Sequence, residues 1–420
     1  MNYVSHATCM ICNKTFEKGK FDYICPDHGN EGILDIKYDY DAIKKEFTKE
    51  TLAVDKDLSI WRYKPLLPVE KTSKGPNLSV GNTPLLNLDS LADGLGIKAF
   101  YLKDDGRLPT ASFKDRASAI AVVKAKEAGA KVITTASTGN AAAALSGLCA
   151  SMGQANVIFV PASAPQAKIA QLLMFGSNVM LVDGTYDDAF DLCLKVADEY
   201  GWYNRNTGYN PYMSEGKKTC SFEICEQLAW KAPDVIFVSV GDGCIIGGIH
   251  KGLRDLFEMG WIDKIPRLIG VQAEGSSYMY QAWKNKENIV TKPATKAVTI
   301  ADSISAGLPR DRIKALDAVN MTHGAFIIVS DEEIIRAIPD LAQKTGVFAE
   351  PAGAATWAGV KKAVQDRMIN PDETVVMINT GSGLKDINSA MKAVELTDMK
   401  YFKVEPSINE FRKIASDLKL

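Results

Sequence analysis

At 420 residues the chain is long enough for two domains and a small module, since single cores rarely outgrow ~250–300 residues. Apolar side chains make up 46% and charged ones 24%, which excludes global disorder. A formal net charge of −2, with no basic stripe carrying interleaved aromatics, gives no reason to expect nucleic acid or an anionic membrane surface as partner.

The chain opens on MNYVSHATCMICNK, which has no apolar core of signal-peptide type, and no later run reaches the ~18 apolar residues of a membrane span. Cys149, Cys193, Cys220, Cys225 and Cys244 are scattered through helix and loop segments, so the expectation is a cytoplasmic chain with reduced thiols. Cys9 and Cys12, then twelve residues, then Cys25 and His28 give two ligand pairs at matching short spacing. That Cys3His set suits a tetrahedral structural zinc ion in a ribbon-like arm over residues 1–36, with no open position for catalysis. The alternative is a metal-free ribbon held by packing, and His6 reads as a surface residue beside it. Residues 30–79, rich in Asp, Lys and Tyr, are expected to wrap over the main body as a helical or extended arm.

Short β-branched apolar runs follow at 99–102, 132–135, 157–160, 179–182, 235–240, 268–271, 326–329 and 375–378. Segments with helical spacing lie between them at 117–128, 140–152, 186–200, 216–229, 332–344 and 354–364. Continuous apolar strands alternating with helices predict an α/β protein with two doubly wound parallel-sheet domains.

Three glycine-containing turns each sit at the carboxyl end of a strand run. They are Ser137-Thr138-Gly139-Asn140, Gly241-Asp242-Gly243-Cys244-Ile245 and Thr380-Gly381-Ser382-Gly383. In open α/β sheets ligands bind at this end, where glycine admits close backbone approach and helix N-termini carry positive partial charge. One such turn often only ends a strand; three point to an anionic cofactor. Lys114, in PTASFKDR, follows a Pro-Thr turn and an aromatic and opens an alanine-rich helix. A surface charge is the ordinary reading of a lysine, but a semi-buried amine at this place has the lowered pKa that Schiff-base chemistry requires. Asp115 and Arg116 are expected to form a structural ion pair.

SFKDR, STGN, GDG followed by GG, EPAGAA at 350–355 and TGSGLKD at 380–386 occur in the order and rough spacing of fold-type II pyridoxal-phosphate enzymes. With GNTPL at 81–85 and the cysteine-bearing arm, the chain most resembles the threonine synthases among them. The resemblance covers essentially the whole chain and implies two domains of the tryptophan-synthase-β-like type. The expected division is 37–95 with 205–420 as the larger, cofactor-binding domain and 96–204 as a smaller mobile one. It implies that Lys114 carries pyridoxal phosphate as a Schiff base and shuttles protons. Asn140 is expected at the cofactor's 3′-oxygen, Gly241, Asp242, Gly243, Cys244 and Ile245 around its phosphate, and Thr380 at its pyridine nitrogen. Ser137 and Thr138 are expected to receive the substrate carboxylate through backbone N–H and hydroxyl groups. The implied activity is a lyase of threonine biosynthesis, converting O-phosphohomoserine and water to threonine and phosphate. A symmetric homodimer is the default assembly.

Several positions depart from the pattern. The segment NPYMSEGKKT at 210–219 carries Met213 where the family commonly has an arginine for the substrate's phosphate. That puts a phosphorylated substrate in doubt unless Arg205, Lys217 or Lys218 compensates. Asn210 and Lys217 are the candidate substrate contacts in this region. Ser382 stands where histidine is frequent. Asp242 would repel a phosphate dianion, so its side chain is expected to turn away while its N–H faces the anion. Cys244 reads as a small packing residue, and His250 and His323 as core or surface histidines. The competing functions are β-replacement or elimination on O-phosphoserine, serine or threonine, and, from another class, a zinc-ribbon binding module without catalysis.

Overall fold

All eight apolar runs become parallel strands, and they divide between two sheets. The computed structural model describes residues 2–137, 139–164, 166–397 and 399–415. Its strands are β1 (Val4–Cys9), β2 (Thr15–Glu17), β3 (Leu34–Tyr38), β4 (Leu85–Asn87), β5 (Ala99–Asp104), β6 (Val132–Ala136) and β7 (Ala155–Pro161). They continue as β8 (Asn178–Val182), β9 (Tyr203–Asn204), β10 (Val235–Ser239), β11 (Arg267–Ala273), β12 (Ala325–Val329) and β13 (Thr374–Asn379). One sheet runs β12-β11-β10-β13-β5-β4 and the other β8-β7-β6-β9. Every pairing in both is parallel except that of β4 with β5.

A division at residue 96 does not follow the sheets. β5 pairs with β13 along its whole length, from Ala99 opposite Thr374 to Asp104 opposite Asn379. Parallel partners are distant in sequence, so nothing local in 99–104 announces which sheet takes it. The short β4 and β9 were also silent in the sequence, being too brief to show a pattern.

The amino-terminal strands form an antiparallel sheet ordered β2-β1-β3. Ala7, Leu34, Ile36, Ile43 and Leu52 share one buried cluster with Ile236, Val238, Ile246 and Leu253 of the six-stranded sheet and its covering helix. The arm is therefore packed into the main core. Buried polar bonds fix its position: Tyr38 Oη donates to Glu215 at 2.6 Å and Tyr40 Oη to Asp255 at 2.6 Å. Lys218 bridges these two carboxylates, lying 2.7 Å from Asp255 and closer still to Glu215. The arm thus holds the Tyr212–Lys217 helix, which carries a cavity-lining lysine.

A second buried network lies under the Lys114–Glu127 helix. Arg116 is fully buried and meets Asp105 at 2.6 Å and Glu223 at 2.6 Å, while Lys103 meets Glu223 at 2.7 Å. The expected Asp115–Arg116 pair does not form. Adjacent helical residues point in directions ~100° apart, and Asp115 instead accepts from the N–H and hydroxyl of Thr110 at 2.7 and 2.5 Å.

Arg116→Met should destabilise the fold by ~3–5 kcal/mol in urea unfolding, because it strands two buried carboxylates. Burial alone would raise the Glu223 carboxyl, yet Arg116 and Lys103 hold it well below the usual range. A depressed folded-state pKa gives stability that is present above the ordinary glutamate pKa and lost as pH falls through and below it. The gap between wild type and variant should therefore narrow in acid.

Candidate active site

The carboxyl ends of β6, β10 and β13 open onto one cavity of about 620 Å³. Lys114, Ser137, Asn140, Lys217, Thr380 and every residue from Gly241 to Ile245 line it. These side chains are scattered over 267 positions of sequence, and the strand-end rule brings them together. Thr138 lies outside the described residues.

Lys114 begins its helix, and the turn before it is stitched to the 380–382 turn by backbone bonds. Phe113 N–H donates to Thr380 O at 2.9 Å and Ser382 N–H to Ala111 O at 3.0 Å, with Ala111 at a left-handed φ of 63°. This ties the start of the lysine's helix to the turn that carries Thr380. Burial, reinforced by the charge of Lys217, lowers the Lys114 amine to about 8. An amine so placed has a far larger free-base fraction near neutrality than an ordinary lysine, and the free base is the form a nucleophile or base needs.

The 241–245 turn is built around glycine. A Cβ on Gly241 would stand 2.7 Å from Ile304 Cα, and Gly243 sits at φ 88°, where other residues are strained. The turn leads into the 15-residue helix Cys244–Glu258, whose N-terminus faces the cavity. Asp242 lines the cavity, and its Oδ1 accepts from Arg310 N–H at 3.3 Å while its carbonyl accepts from Asp311 N–H at 2.9 Å. Cys244 packs in the same buried cluster as Ile120 and Leu145, and burial raises its thiol.

Several expectations need revision. Ser137 N–H is already given to Phe159 O at 3.1 Å, so only its hydroxyl remains to meet a carboxylate. Asn140 donates its side-chain amide to both oxygens of Glu350 at 2.9 Å, and Glu350 itself lines the cavity. Burial raises the Glu350 carboxyl, offset in part by Asn140 and the charge of Lys114. Asn210 does not line the cavity. Its amide donates to Asn204 O at 2.7 Å and its Oδ1 accepts from Tyr212 N–H at 2.9 Å, so it supports the entry to the Tyr212–Lys217 helix. Met213 is fully buried in the apolar cluster with Ile120 and is no lining residue either.

The sequence assigns no role to Glu350, although it opens the EPAGAA motif, and gives no signal for Ser239 or the 302–308 loop. That loop contains Asp302 and Gly307 but follows none of the apolar strand runs, the position that marks the other turns. Arg205, Lys217 and Ser239 are all cavity-lining and buried, and each has a polar atom with no hydrogen-bond partner: Nη2, Nζ and Oγ. Buried donors are ordinarily satisfied, so these three are arranged for something anionic that enters the cavity. A second cavity of about 410 Å³ adjoins the first and shares Gly139, Asn140, Ser303 and Glu350 with it.

In the arm, one ligand atom from each of Cys9, Cys12, Cys25 and His28 falls within 4.8 Å of the others. Cys12 Sγ and Cys25 Sγ are 4.0 Å apart; sulfurs at ~2.3 Å from a tetrahedral zinc ion stand about this far from each other. A backbone N–H from Lys14 chiefly lowers the Cys12 thiol to about 7, whereas burial pushes Cys25 up to about 11. His6 faces Ser5 instead. His250 is buried and depressed to about 3 by that burial, and His323 is an exposed turn residue. Neither lines the cavity.

Residues 77–381 match the family model of pyridoxal-phosphate dependent enzymes, and the chain belongs to that family. It is similar to several threonine synthases. It is 38% identical over 411 residues to that of Methanocaldococcus jannaschii, covering 98% of this chain and 99% of the relative. To the threonine synthase of Methanosarcina acetivorans it is 39% identical over 391 residues, covering 93% and 94%. Among solved structures, the processed threonine deaminase isoform 2 of Solanum lycopersicum superposes with a TM-score of 0.63 at 23% identity, over 76% of this chain and 88% of that one. Maize serine racemase gives 0.62 at 20% identity, over 75% and 93%. These two show the α/β fold. The cofactor of this family fits the residues present: a lysine amine lowered by burial, a glycine cradle at a helix N-terminus, and partnerless donors facing the same space.

Gly241→Ala places a methyl against the Ile304 backbone that shares the cavity wall. It should weaken pyridoxal-phosphate binding roughly 10-fold or more, measured by titrating cofactor-free protein and following its visible absorbance.

Proposed function

We propose that this chain is a threonine synthase, converting O-phosphohomoserine and water to threonine and inorganic phosphate with pyridoxal phosphate held at Lys114. The observation that carries this reading is one cavity in which a desolvated lysine amine meets a helix-N-terminal cradle and further unpaired donors. A full-length likeness to threonine synthases supports the choice among related lyases.

When bound, pyridoxal phosphate supplies an electron sink for negative charge at the substrate's α-carbon. The amides of Gly241, Asp242, Gly243, Cys244 and Ile245 would hold its phosphate. Asn140, oriented by Glu350, would meet its 3′-oxygen. Thr380 would face its ring nitrogen with a hydroxyl, a neutral partner that leaves the nitrogen less protonated than a carboxylate would. Lys114, once free, would take the α-proton and return protons at neighbouring carbons, for which an amine near pKa 8 is suited. The Ser137 hydroxyl, with Thr138, would receive the substrate carboxylate.

Two ion pairs span positions near the cavity mouth: Lys168 with Asp302 at 2.5 Å and Arg310 with Asp187 at 3.0 Å. They support the reading that the unit built on the four-stranded sheet is the mobile one and closes over substrate, excluding bulk water. No helix among the described residues is long and apolar enough to cross a membrane; a cytoplasmic homodimer is part of the proposal. So is a structural zinc ion on Cys9, Cys12, Cys25 and His28.

Phosphate, threonine and 2-oxo-acid release should be followed from O-phosphohomoserine, O-phosphoserine, serine and threonine in parallel. Equal phosphate and threonine from the first alone is expected; turnover of only an unphosphorylated amino acid overturns the reading. Lys114→Ala should be colourless after dialysis and slower by at least roughly 10²–10⁴-fold. For the arm, metal analysis should find about one zinc per chain. Chelation should lower the melting temperature while the kcat of the protein still folded is unchanged.

A further inference from the structure

We infer that Tyr23 of the amino-terminal arm is a positioning residue for the active site, holding through Asn204 and Asn206 the end of β6 from which the 137–140 turn departs. The inference rests on the reading, proposed above, that this turn receives the substrate's carboxylate.

β9 is an edge strand of the four-stranded sheet and only two residues long. A sheet edge leaves backbone groups unpaired, and here the arm takes one of them. Arg205 N–H reaches inward to Thr134 O at 2.9 Å, whereas Asn204 N–H is given to Tyr23 Oη at 3.0 Å. The Asn204 carbonyl accepts from the Asn210 amide at 2.7 Å. The Tyr23 ring is itself wedged in place, edge-on to Tyr203 with centroids 5.8 Å apart and 5.1 Å from the ring of Tyr209.

This contact is more than an edge cap, because the polar chain continues inward from it. Asn204 Oδ1 accepts from Asn206 N–H at 2.8 Å. Asn206 Oδ1 then accepts twice, from the Thr135 hydroxyl and from Ala136 N–H, each at 2.8 Å. Its Nδ2 donates to Cys193 Sγ at 3.6 Å, so both ends of the amide are held. Asn204, Asn206, Thr135 and Ala136 are all buried, where water does not compete and hydrogen bonds in a chain reinforce one another. Ala136 ends β6 and Ser137 follows directly, so the relay sets where the cavity-lining Ser137 begins its turn.

The outer end of the relay is anchored. Tyr23 precedes Ile24, which bridges Ile33 in antiparallel fashion, and the arm is tied to the Tyr212–Lys217 helix through Tyr38 and Glu215. One arm thus grips the six-stranded unit through Tyr38 and the four-stranded unit through Tyr23. Neither tyrosine lines the cavity. A residue that only fixes the receiving turn affects substrate and transition state alike, which shows in KM with kcat unchanged.

The test uses the full-length holoenzyme and Tyr23→Phe, which removes one acceptor and keeps the ring. KM for O-phosphohomoserine should rise roughly 3- to 10-fold, with kcat, cofactor affinity and visible spectrum unchanged. Asn206→Ala should raise KM further, and Asn206→Asp, which keeps the accepting oxygen, should restore part of the loss. Ile36→Val loosens the buried core of the arm without touching the relay and should leave KM as in wild type. Hydrogen exchange read by mass spectrometry should be at least about 3-fold faster over 132–140 in Tyr23→Phe, and unchanged over 235–245 and 374–383. Unchanged exchange at 132–140 overturns the inference, as does an unchanged KM in Tyr23→Phe or an equal rise in Ile36→Val. Exchange is measured without substrate, so it decides the relay even if wild type does not turn over O-phosphohomoserine, the result by which the proposed function itself would fail.

Discussion

Positive charge desolvated without a paired carboxylate is the constraint on which this molecule turns. Lys114, Lys217 and Arg205 line one cavity, and none of them has a carboxylate to itself. Taking charges out of water costs several kcal/mol each even after relaxation. The chain answers in two ways. Lys114 sheds proton affinity, falling to about 8 through burial and its cationic neighbours. Arg205, lowered by burial only to about 10, stays charged near neutrality and must find an anion. Ligands that bring phosphate and carboxylate therefore relieve a cost that folding incurred, and binding them stabilises the native state by linkage.

Such a cavity survives only because its walls are held from behind. The helix that starts at Lys114 is anchored through Arg116 to Asp105 and Glu223, two carboxylates on other elements. The helix that ends at Lys217 is anchored through Glu215 and Lys218 to Tyr38 and Asp255. The second anchor reaches the amino-terminal arm that carries the cysteine cluster, through Tyr38 at the end of β3. Both anchors are ion networks that would be neutral or worse as isolated stability devices. Their value lies in fixing where two lysines point.

Much of this was legible in the chain itself. The eight parallel strands were visible because strands buried on both faces read as unbroken apolar runs. The strand-end turns at 137–140, 241–245 and 380–383 were visible because glycine marks close backbone approach. What could not be read was pairing across long sequence distance, as with β5 joining β13, and the partner of any charge. Arg116 pairs with residues 11 and 107 positions away, not with its neighbour Asp115. Met213 is the instructive case. In sequence it cast doubt on a phosphorylated substrate; in three dimensions it is core, and Lys217, one helical turn on, lines the cavity. Asn210 misled in the opposite direction, since a conspicuous polar residue near a motif proved to be helix support.

The central claim is that Lys114 carries the cofactor in the cavity where the three strand-end turns meet. Borohydride reduction of the purified holoenzyme, followed by mass mapping of its peptides, tests it most directly. The account predicts the reduced cofactor fixed to Lys114 alone. An adduct on another lysine, with none on Lys114, would contradict it.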